Sequence, residues 1–544
     1  MRFAATFIRC SVAAIVALAT SGILSSHSDE RTRVIVRLVD GRSMSELQPL
    51  IERMGGVAGP TLDIINAQIA ELPAEAVTVL ERHPLVAHLS IDRAVVGTME
   101  RTSATIGATA VRQNLGYDGT GVGVAIIDSG VTPWHDDLAA SGGGQRVAHF
   151  VDFVRNNPKP YDDYGHGTHV AGIIAGDGFD SGGARAGIAP GVRLTVLKVL
   201  DEQGNGRISD VIKALDHVLK KKDSLNIRVV NLSVATGVYE SYMTDPLTLA
   251  AKSLVDAGII VVAAAGNLGE TATGLDAYGG ITSPGNAPWV LTVGASNHMG
   301  TFGRSDDRMA VFSSRGPTAE DRGAKPDLVA PGVGIESLSN QDSTFYRTLT
   351  PYLLSGTVPT GYLPYLSLTG TSMSAPVATG AIALMLQANP ALTPNAVKAI
   401  LQYTAQTYPG YDPLTQGAGF LNAAGAVELA RFFANPATTP SSDETWSRHV
   451  IWGNQLISGV VMTADASAWR LGVTWGAVGS TVTGDTSRNA VWGMRCGGTD
   501  CREQWTIAAA LDESVVWGTS IDESVVWGTW EPDGSVVWGT TGVR

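Results

Sequence analysis

The chain reads as an α/β protein built on a doubly wound parallel sheet, with a small α+β module before it and a β-rich or partly disordered extension after it. Three observations predict this. Short apolar runs rich in Val and Ile, at residues 122–127, 194–199, 229–232, 259–264 and 289–293, alternate with helical stretches. Continuous apolar strands separated by helices are strands covered on both faces. Residues from about 33 to 96 order their elements as βαββαβ, the split βαβ or ferredoxin-like pattern. Composition then shifts: ten of the twelve tryptophans fall between Trp446 and Arg544.

Each region follows in order. At 544 residues the chain is long enough for about three units of roughly 150 residues. Arg2 and Arg9 precede an apolar run from Cys10 to Leu18, then Ala19, Thr20, Ser21 and Gly22. A basic start, a short apolar core and small residues predict a signal peptide over 1–25. A membrane anchor is the alternative, but spanning takes about 20 apolar residues and this run is shorter. No later stretch is long enough to span, so no stable membrane span is expected after the signal is removed.

In the α+β module, assigned to 33–98, residues 33–39 read as a strand and 45–54 as a helix with Leu47, Leu50, Ile51 and Met54 on one face. Two strand-like pieces surround 64–72, a helix runs from Pro73 to Leu80, and 86–91 closes as a strand. The doubly wound domain is assigned to 105–433, with helices at 208–219 and 246–257. Its site is expected at the carboxyl ends of the strands. Residues 434–445 contain Asn435-Pro-Ala-Thr-Thr-Pro-Ser-Ser-Asp443, a breaker-rich linker. In the 446–544 extension Ser-Val-Val-Trp-Gly-Thr occurs three times, around Trp517, Trp527 and Trp538. A period near ten residues suits short strands and turns better than a helical repeat.

Composition excludes some functions. The chain is 44% hydrophobic and 16% charged, which supplies a large core and argues against global disorder. A net charge of -13 makes nucleic-acid binding a poor fit, because phosphate must be neutralised by Lys and Arg. Cys10 would leave with the signal, and Cys496 and Cys501 would close a small disulfide loop in an oxidising compartment or stay as two thiols.

Three segments carry chemistry. Val124-Ala-Ile-Ile-Asp128 is a buried strand ending in a carboxylate, which burial makes expensive unless it is paired. Gly165-His166-Gly-Thr-His169 opens a small-residue helix; two histidines three apart suggest zinc, but no Glu has the required spacing. Gly370-Thr-Ser372-Met-Ser-Ala-Pro376 precedes an apolar helix over 377–386. A serine there is either a helix cap or a nucleophile whose N–H faces a developing oxyanion.

Together these blocks resemble the subtilisin-like serine peptidases, the subtilase family, across most of 105–433. Their order, Asp, His, Ser, differs from that of the α/β-hydrolases, whose elbow also needs a glycine where Ser374 stands. The resemblance implies a serine endopeptidase acting through an acyl-enzyme with Asp128, His166 and Ser372, leaving His169 structural. Ala263-Ala-Ala-Gly266-Asn267 resembles the family's oxyanion block, so Asn267 is the expected oxyanion donor. Peptides should pair with extended segments at Gly204-Asn-Gly206 and Leu232-Ser233-Val-Ala235, and contact Ala265 and Gly266. After Ser233 the family often has Leu-Gly-Gly, whereas this chain has Val-Ala-Thr, which changes the pocket.

The resemblance requires no cofactor or metal for chemistry. A structural calcium is allowed, because Asp137 falls where the family often has a calcium-ligating Asp, but the 176–187 loop does not clearly supply the other oxygens. The 33–98 module resembles the family's inhibitor-like propeptide, implying a zymogen that cuts itself between Val96 and Ile106. Residues 340–367 insert a Tyr- and Pro-bearing loop before Ser372, either a rim over the site or a surface excursion. The expected partners are protein substrates and the chain's own propeptide, with a monomer secreted from the cell; cell-surface association stays open. The rival reading is an inactive subtilase-fold adhesin that binds through its Trp-rich tail.

Overall fold

The computed structural model describes residues 31–91, 98–139, 144–271, 273–436, 443–452, 455–457 and 460–475, with short strand pieces at 494–496, 529–530 and 536–537. The expected signal segment, Cys501 and the tryptophans of the three Ser-Val-Val-Trp-Gly-Thr copies lie outside these residues. The chain divides into two compact units, Met1–Val95 and Val96–Arg544.

The first unit contains β1 (Arg31–Leu38), α1 (Met44–Arg53), β2 (Val57–Leu62), β3 (Ala67–Pro73), α2 (Ala74–Glu81) and β4 (Val86–Ile91). This is the βαββαβ order read from the sequence. The sheet runs β2-β3-β1-β4 and its pairs are antiparallel. Val34, Val36 and Leu38 alternate inward on β1 and meet Leu47, Leu50 and Ile51 of α1. Ser43 starts α1 with a reciprocal cap: its hydroxyl accepts from the first turn while Glu46 accepts from the Ser43 N–H at 3.2 Å.

The second unit begins with α3 (Thr98–Thr105) and α4 (Ala108–Ala110). Then come β5 (Gly123–Asp128), β6 (Val147–Asp152), α5 (His166–Ala175), β7 (Arg193–Lys198), α6 (Ile208–Lys221), β8 (Ile227–Leu232), α7 (Pro246–Asp256), β9 (Ile260–Ala264) and β10 (Leu291–Asn297). Next are β11 (Arg308–Met309), β12 (Leu328–Pro331), β13 (Ile335–Leu338), α8 (Thr344–Thr348), β14 (Leu353–Leu354) and β15 (Tyr365–Leu368). The helices α9 (Thr371–Ala388), α10 (Pro394–Thr404), α11 (Pro413–Gln416) and α12 (Ala423–Ala434) follow, and β16 (Val450–Trp452) pairs with β17 (Gln455–Ile457).

The main sheet runs β11-β10-β9-β8-β5-β7-β6, with β12 beside β10; only β11 is antiparallel. Chain order reverses around β5, which makes its carboxyl end the crevice of the sheet. Residues of β5 alternate between the two cores. Val124 and Ile126 face α5, α9 and α10; Ala125 and Ile127 face α6 and α7. Burying each large apolar side chain is worth about 1.5–3 kcal/mol, so the Val- and Ile-rich runs stabilise strands covered on both sides. The strand expected at 289–293 starts two residues later, because Trp289 turns away to donate its indole N–H to the Thr248 carbonyl at 2.9 Å.

Beyond α12 four tryptophans pack inward. Trp446, Trp452, Trp469 and Trp475 belong to the same core as α9 and α10, and Trp475 donates to the Ile451 carbonyl at 3.1 Å. No described helix is long and apolar enough to cross a membrane.

Candidate active site

Asp128 is the last residue of β5 and His166 the first of α5. Two glycines let these elements meet. Gly130 has φ +119°, and a Cβ on it would collide with the Tyr161 carbonyl; a Cβ on Gly167 would collide with the Gly130 carbonyl. The result is a bond from His166 Nδ1 to Asp128 Oδ1 at 2.7 Å between two buried side chains. The same carboxylate oxygen accepts the Ser129 N–H at 2.7 Å. A carboxylate that accepts a hydrogen bond from Nδ1–H fixes the tautomer and leaves Nε2 as the basic nitrogen.

The start of α5 is held by Asp162, a residue the sequence reading did not select. One of its oxygens accepts from the Gly165 N–H and the Ser129 hydroxyl, each at 2.8 Å. The other accepts from the Thr168 N–H at 2.8 Å and the Thr168 hydroxyl at 2.7 Å. An acidic residue four positions before the first helical residue was the available signal, since the orphan N–H groups there favour a carboxylate. On β7, Lys198 pairs in register with Asp128 and is buried; its ammonium donates to Asp163 and the Ser129 carbonyl at 2.6 Å each, and to the Leu200 carbonyl at 2.7 Å.

Ser372 lies inside a helix rather than before one. Gly370 is the N-cap of α9, so Ser372 occupies the first turn, where its N–H has no intrahelical acceptor. Helix-breaking Pro376 sits four residues on and has no N–H to bond the Ser372 carbonyl. Ser233 uses that vacancy, donating its hydroxyl to the carbonyl at 2.8 Å. In return the Ser372 Oγ donates to the Ser233 carbonyl at 3.3 Å. Ser233 is itself held by Asn231, whose Nδ2 donates to it at 2.9 Å and whose Oδ1 accepts from Thr379 of α9 at 2.9 Å.

Asn267, just past β9, is oriented by the same helix. Its Oδ1 accepts the Thr371 N–H at 3.0 Å and the Thr371 hydroxyl at 2.8 Å. With the oxygen committed, Nδ2 is the end left to donate. Thr371 also accepts the Gly266 N–H at 3.2 Å, and the Gly266 carbonyl takes Ser314 N–H. Ala265 is bonded through both its N–H, to Val293, and its carbonyl, from Thr282. The structure thus brings Ser233, Ala265, Gly266 and Asn267 to the start of α9.

Gly204 and Gly206 lie in a tight loop closed by an antiparallel bridge from Leu200 to Gly206. Gly204 has φ +80°, and a Cβ there would collide with the Tyr164 ring. Downstream of Ser233 and Ala235, Thr236 exchanges both backbone bonds with Ser283, at 3.1 and 2.9 Å, so the open edge stops at Ala235. The 340–367 insertion flanks the site. Thr344 donates its N–H to the Asp163 carbonyl and its hydroxyl to the Glu202 carbonyl, each at 2.9 Å, and Phe345 sits 4.3 Å from the Tyr164 ring and 6.3 Å, edge-on, from His166.

His169 is buried one turn into α5 and bonds the carbonyls of Ile335 at 3.1 Å and Leu366 at 3.0 Å through Nε2. Burial lowers it to about 3, so it stays neutral. Its ring ties α5 to β13 and β15.

His135, Asp137 and Asp180 form the one described carboxylate–histidine cluster near the calcium-type position. Most of its ligand atoms already hold protein partners, while Asp180 Oδ1 has none among the described residues. Asp137 accepts the Asp180 N–H at 2.9 Å and the Tyr365 hydroxyl at 2.8 Å, and His135 Nδ1 accepts the Asp137 N–H at 3.2 Å while Nε2 meets the Pro364 carbonyl at 3.0 Å. Calcium takes six to eight oxygens, and these residues do not make such a cage. Burial and the neighbouring Asp137 raise Asp180 above the ordinary range.

A buried Asp–His pair, a serine in the first turn of a helix and an amide whose oxygen is committed are the groups that a serine peptidase site requires. Residues 119–450 match the Subtilase family, and the chain belongs to it. It is a serine endopeptidase of that family. It is 35% identical to "Serine protease AprX" of Bacillus subtilis over 67% of this chain and 79% of that protein. It is 32% identical to "Subtilisin E" of Bacillus subtilis over 71% and 87%, and 31% identical to "Alkaline elastase YaB" of a Bacillus strain over 67% and 80%.

Proposed function

We propose that the chain is an exported zymogen that hydrolyses peptide bonds with broad preference, using Ser372 as nucleophile, His166 as base and Asp128 as its partner. The observation that supports this most is the 2.7 Å bond from His166 Nδ1 to buried Asp128, which leaves Nε2 to take a proton. In this reading the Ser372 hydroxyl turns from the Ser233 carbonyl and gives its proton to His166 Nε2. Its oxygen attacks the peptide carbonyl carbon. The oxyanion accepts from Asn267 Nδ2 and the Ser372 N–H, aided by the α9 dipole. Collapse breaks the C–N bond, and His166 returns the proton to the leaving amine. Water then hydrolyses the acyl-enzyme by the same route.

The substrate would add a strand beside Gly204, Gly206 and residues 233–235, with Ala265 and Gly266 near the cut bond. Main-chain pairing of this kind tolerates many side chains. The 33–98 module would act as the propeptide. Within the expected cut window, Met99, Thr102 and Ser103 are fully or almost fully buried, which favours a cut at its start. Secretion, a monomeric state and the 434–445 linker belong to the same proposal.

A casein assay with and without a serine-directed inhibitor tests the activity: inhibitor-sensitive cleavage is expected, and none from processed protein would favour the adhesin. For self-processing, N-terminal sequencing should find a start just after residue 96, while Ser372→Ala stays full length. A clean cut in Ser372→Ala, with no other protease present, would sink that part.

A further inference from the structure

A cavity of about 530 Å³ lies at the opposite end of the sheet from the triad, by the residues that lead into β10 and β12. Its floor holds more positive than negative charge. The Lys325 ammonium donates to the Val290 carbonyl, the Thr292 hydroxyl and Asp327, each at 2.8 Å. Lys398, on α10, donates to the Pro288 carbonyl at 2.6 Å, to the Val290 carbonyl at 3.0 Å and to Asp327 at 2.9 Å. Three acceptors on each nitrogen suit two ammonium groups, and both share one carboxylate. Lys252 on the wall is balanced by Asp256 at 2.6 Å, so two lysines face the single Asp327 carboxylate. Burial, and then the adjacent Lys325, pushes Lys398 well below the ordinary lysine range, so a bound anion would favour its charged form.

The second observation is Asn286. Its side chain is 2% exposed and lines the cavity, yet neither Nδ2 nor Oδ1 has a hydrogen-bond partner among the described residues. A buried unsatisfied amide costs about 1–3 kcal/mol for each group, so a group that answers both atoms is expected. The walls are aromatic. Trp289 and Tyr242 meet edge to face at 5.2 Å, and Trp475 lies over Lys398 at 5.0 Å. Both indole N–H groups are spent on carbonyls, leaving apolar ring faces. Ile451, Thr474 and Trp475 come from beyond residue 450, where the family match ends.

We propose that this cavity binds the C-terminal residue of a peptide, or an N-acyl amino acid of the same chemistry, with its apolar side chain against Trp289 and Trp475. The free carboxylate accepts from Asn286 Nδ2 and offsets the excess charge, while the adjoining amide N–H donates to Asn286 Oδ1. The site is independent of the catalytic reading, because its ligand is bound and not cut.

Calorimetry on the full chain carrying Ser372→Ala tests it, with N-acetyl-L-phenylalanine as the probe. The acid should bind about tenfold or more tighter than N-acetyl-L-phenylalanine amide, as a hydrogen bond to a charged group implies. 3-Phenylpropionate, which lacks the N–H, should bind several-fold more weakly; equal binding would reduce the site to one for simple aromatic acids and overturn the peptide assignment. Asn286→Leu and the isosteric Asn286→Asp should each lose the acid by tenfold or more. The acid should raise the thermal midpoint of the parent and not of Asn286→Asp. Equal affinity for acid and amide, no binding at millimolar probe, or unchanged binding in Asn286→Asp would each overturn the proposal, the last by putting the acid in another pocket such as the cleft.

Discussion

Helices α5 and α9 both turn their first residues toward the site, but their ends are filled in opposite ways. At α5 a full carboxylate, Asp162, takes the N–H groups of Gly165 and Thr168 and two hydroxyls besides. At α9 the only described side chain on a first-turn N–H is the neutral amide oxygen of Asn267, bonded to Thr371. His166 opens α5, where the helix dipole disfavours a cation; in the proposed mechanism Asp162 and Asp128 would offset that. Ser372 opens α9, where the uncancelled positive end suits an oxyanion. One backbone feature therefore serves opposite charges, and the side chain at each cap decides which.

The strongest way to break this contrast is to give α9 the filling that α5 has. Asn267→Asp should cut kcat by more than about a thousandfold with little change in KM, since it trades a donor for a negative charge; the milder Asn267→Ala should lose about a hundred- to a thousandfold. Equal kcat for Asn267→Asp and Asn267→Ala in a peptide-substrate assay would remove the electrostatic part of the argument.

The reverse swap, Asp162→Asn, leaves buried donors facing a donor. Loss of about 2–3 kcal/mol in urea unfolding is expected, together with a lower kcat, because the start of α5 that carries His166 loses its anchor. Unchanged kcat at reduced stability would confine Asp162 to a structural part.

Thr371→Val should lower kcat about tenfold by leaving Asn267 Oδ1 with the Thr371 N–H alone, while Thr371→Ser restores the second bond. A change confined to KM would contradict the positioning role.

The smallest effect concerns the other histidine of α5. His169 is lowered from 6.5 to about 3 by burial, so between those values the unfolded chain binds a proton that the folded chain does not. Stability should therefore fall as pH drops below about 6.5, and His169→Gln should flatten that slope while leaving the kcat/KM profile in place. Urea midpoints from pH 7 to 4 measure it.

The sequence by itself determined the class of fold and the chemical groups. Apolar runs such as 122–127 read as strands because burial on both faces admits only Val, Ile and Ala there, and β5 matched to within a residue. His166 and Ser372 could be proposed from the sequence because they stand in dense blocks, and Asp128 from a shorter block in the right order; close backbone approach dictates neighbours such as Gly130 and Gly167. The tertiary structure alone decided how those groups are held. Thr371, Asn231 and Phe345 act across 104 to 179 positions of sequence, as Thr371–Asn267 and Phe345–His166 show, and no local period records such pairings. The same holds for Lys325, Asp327 and Lys398: three ordinary charged residues become one buried cluster only when α10 closes over the starts of β10 and β12. Short-range sterics are written into neighbouring residues, whereas hydrogen-bond partners and charge balance depend on which distant segments the packed core brings together.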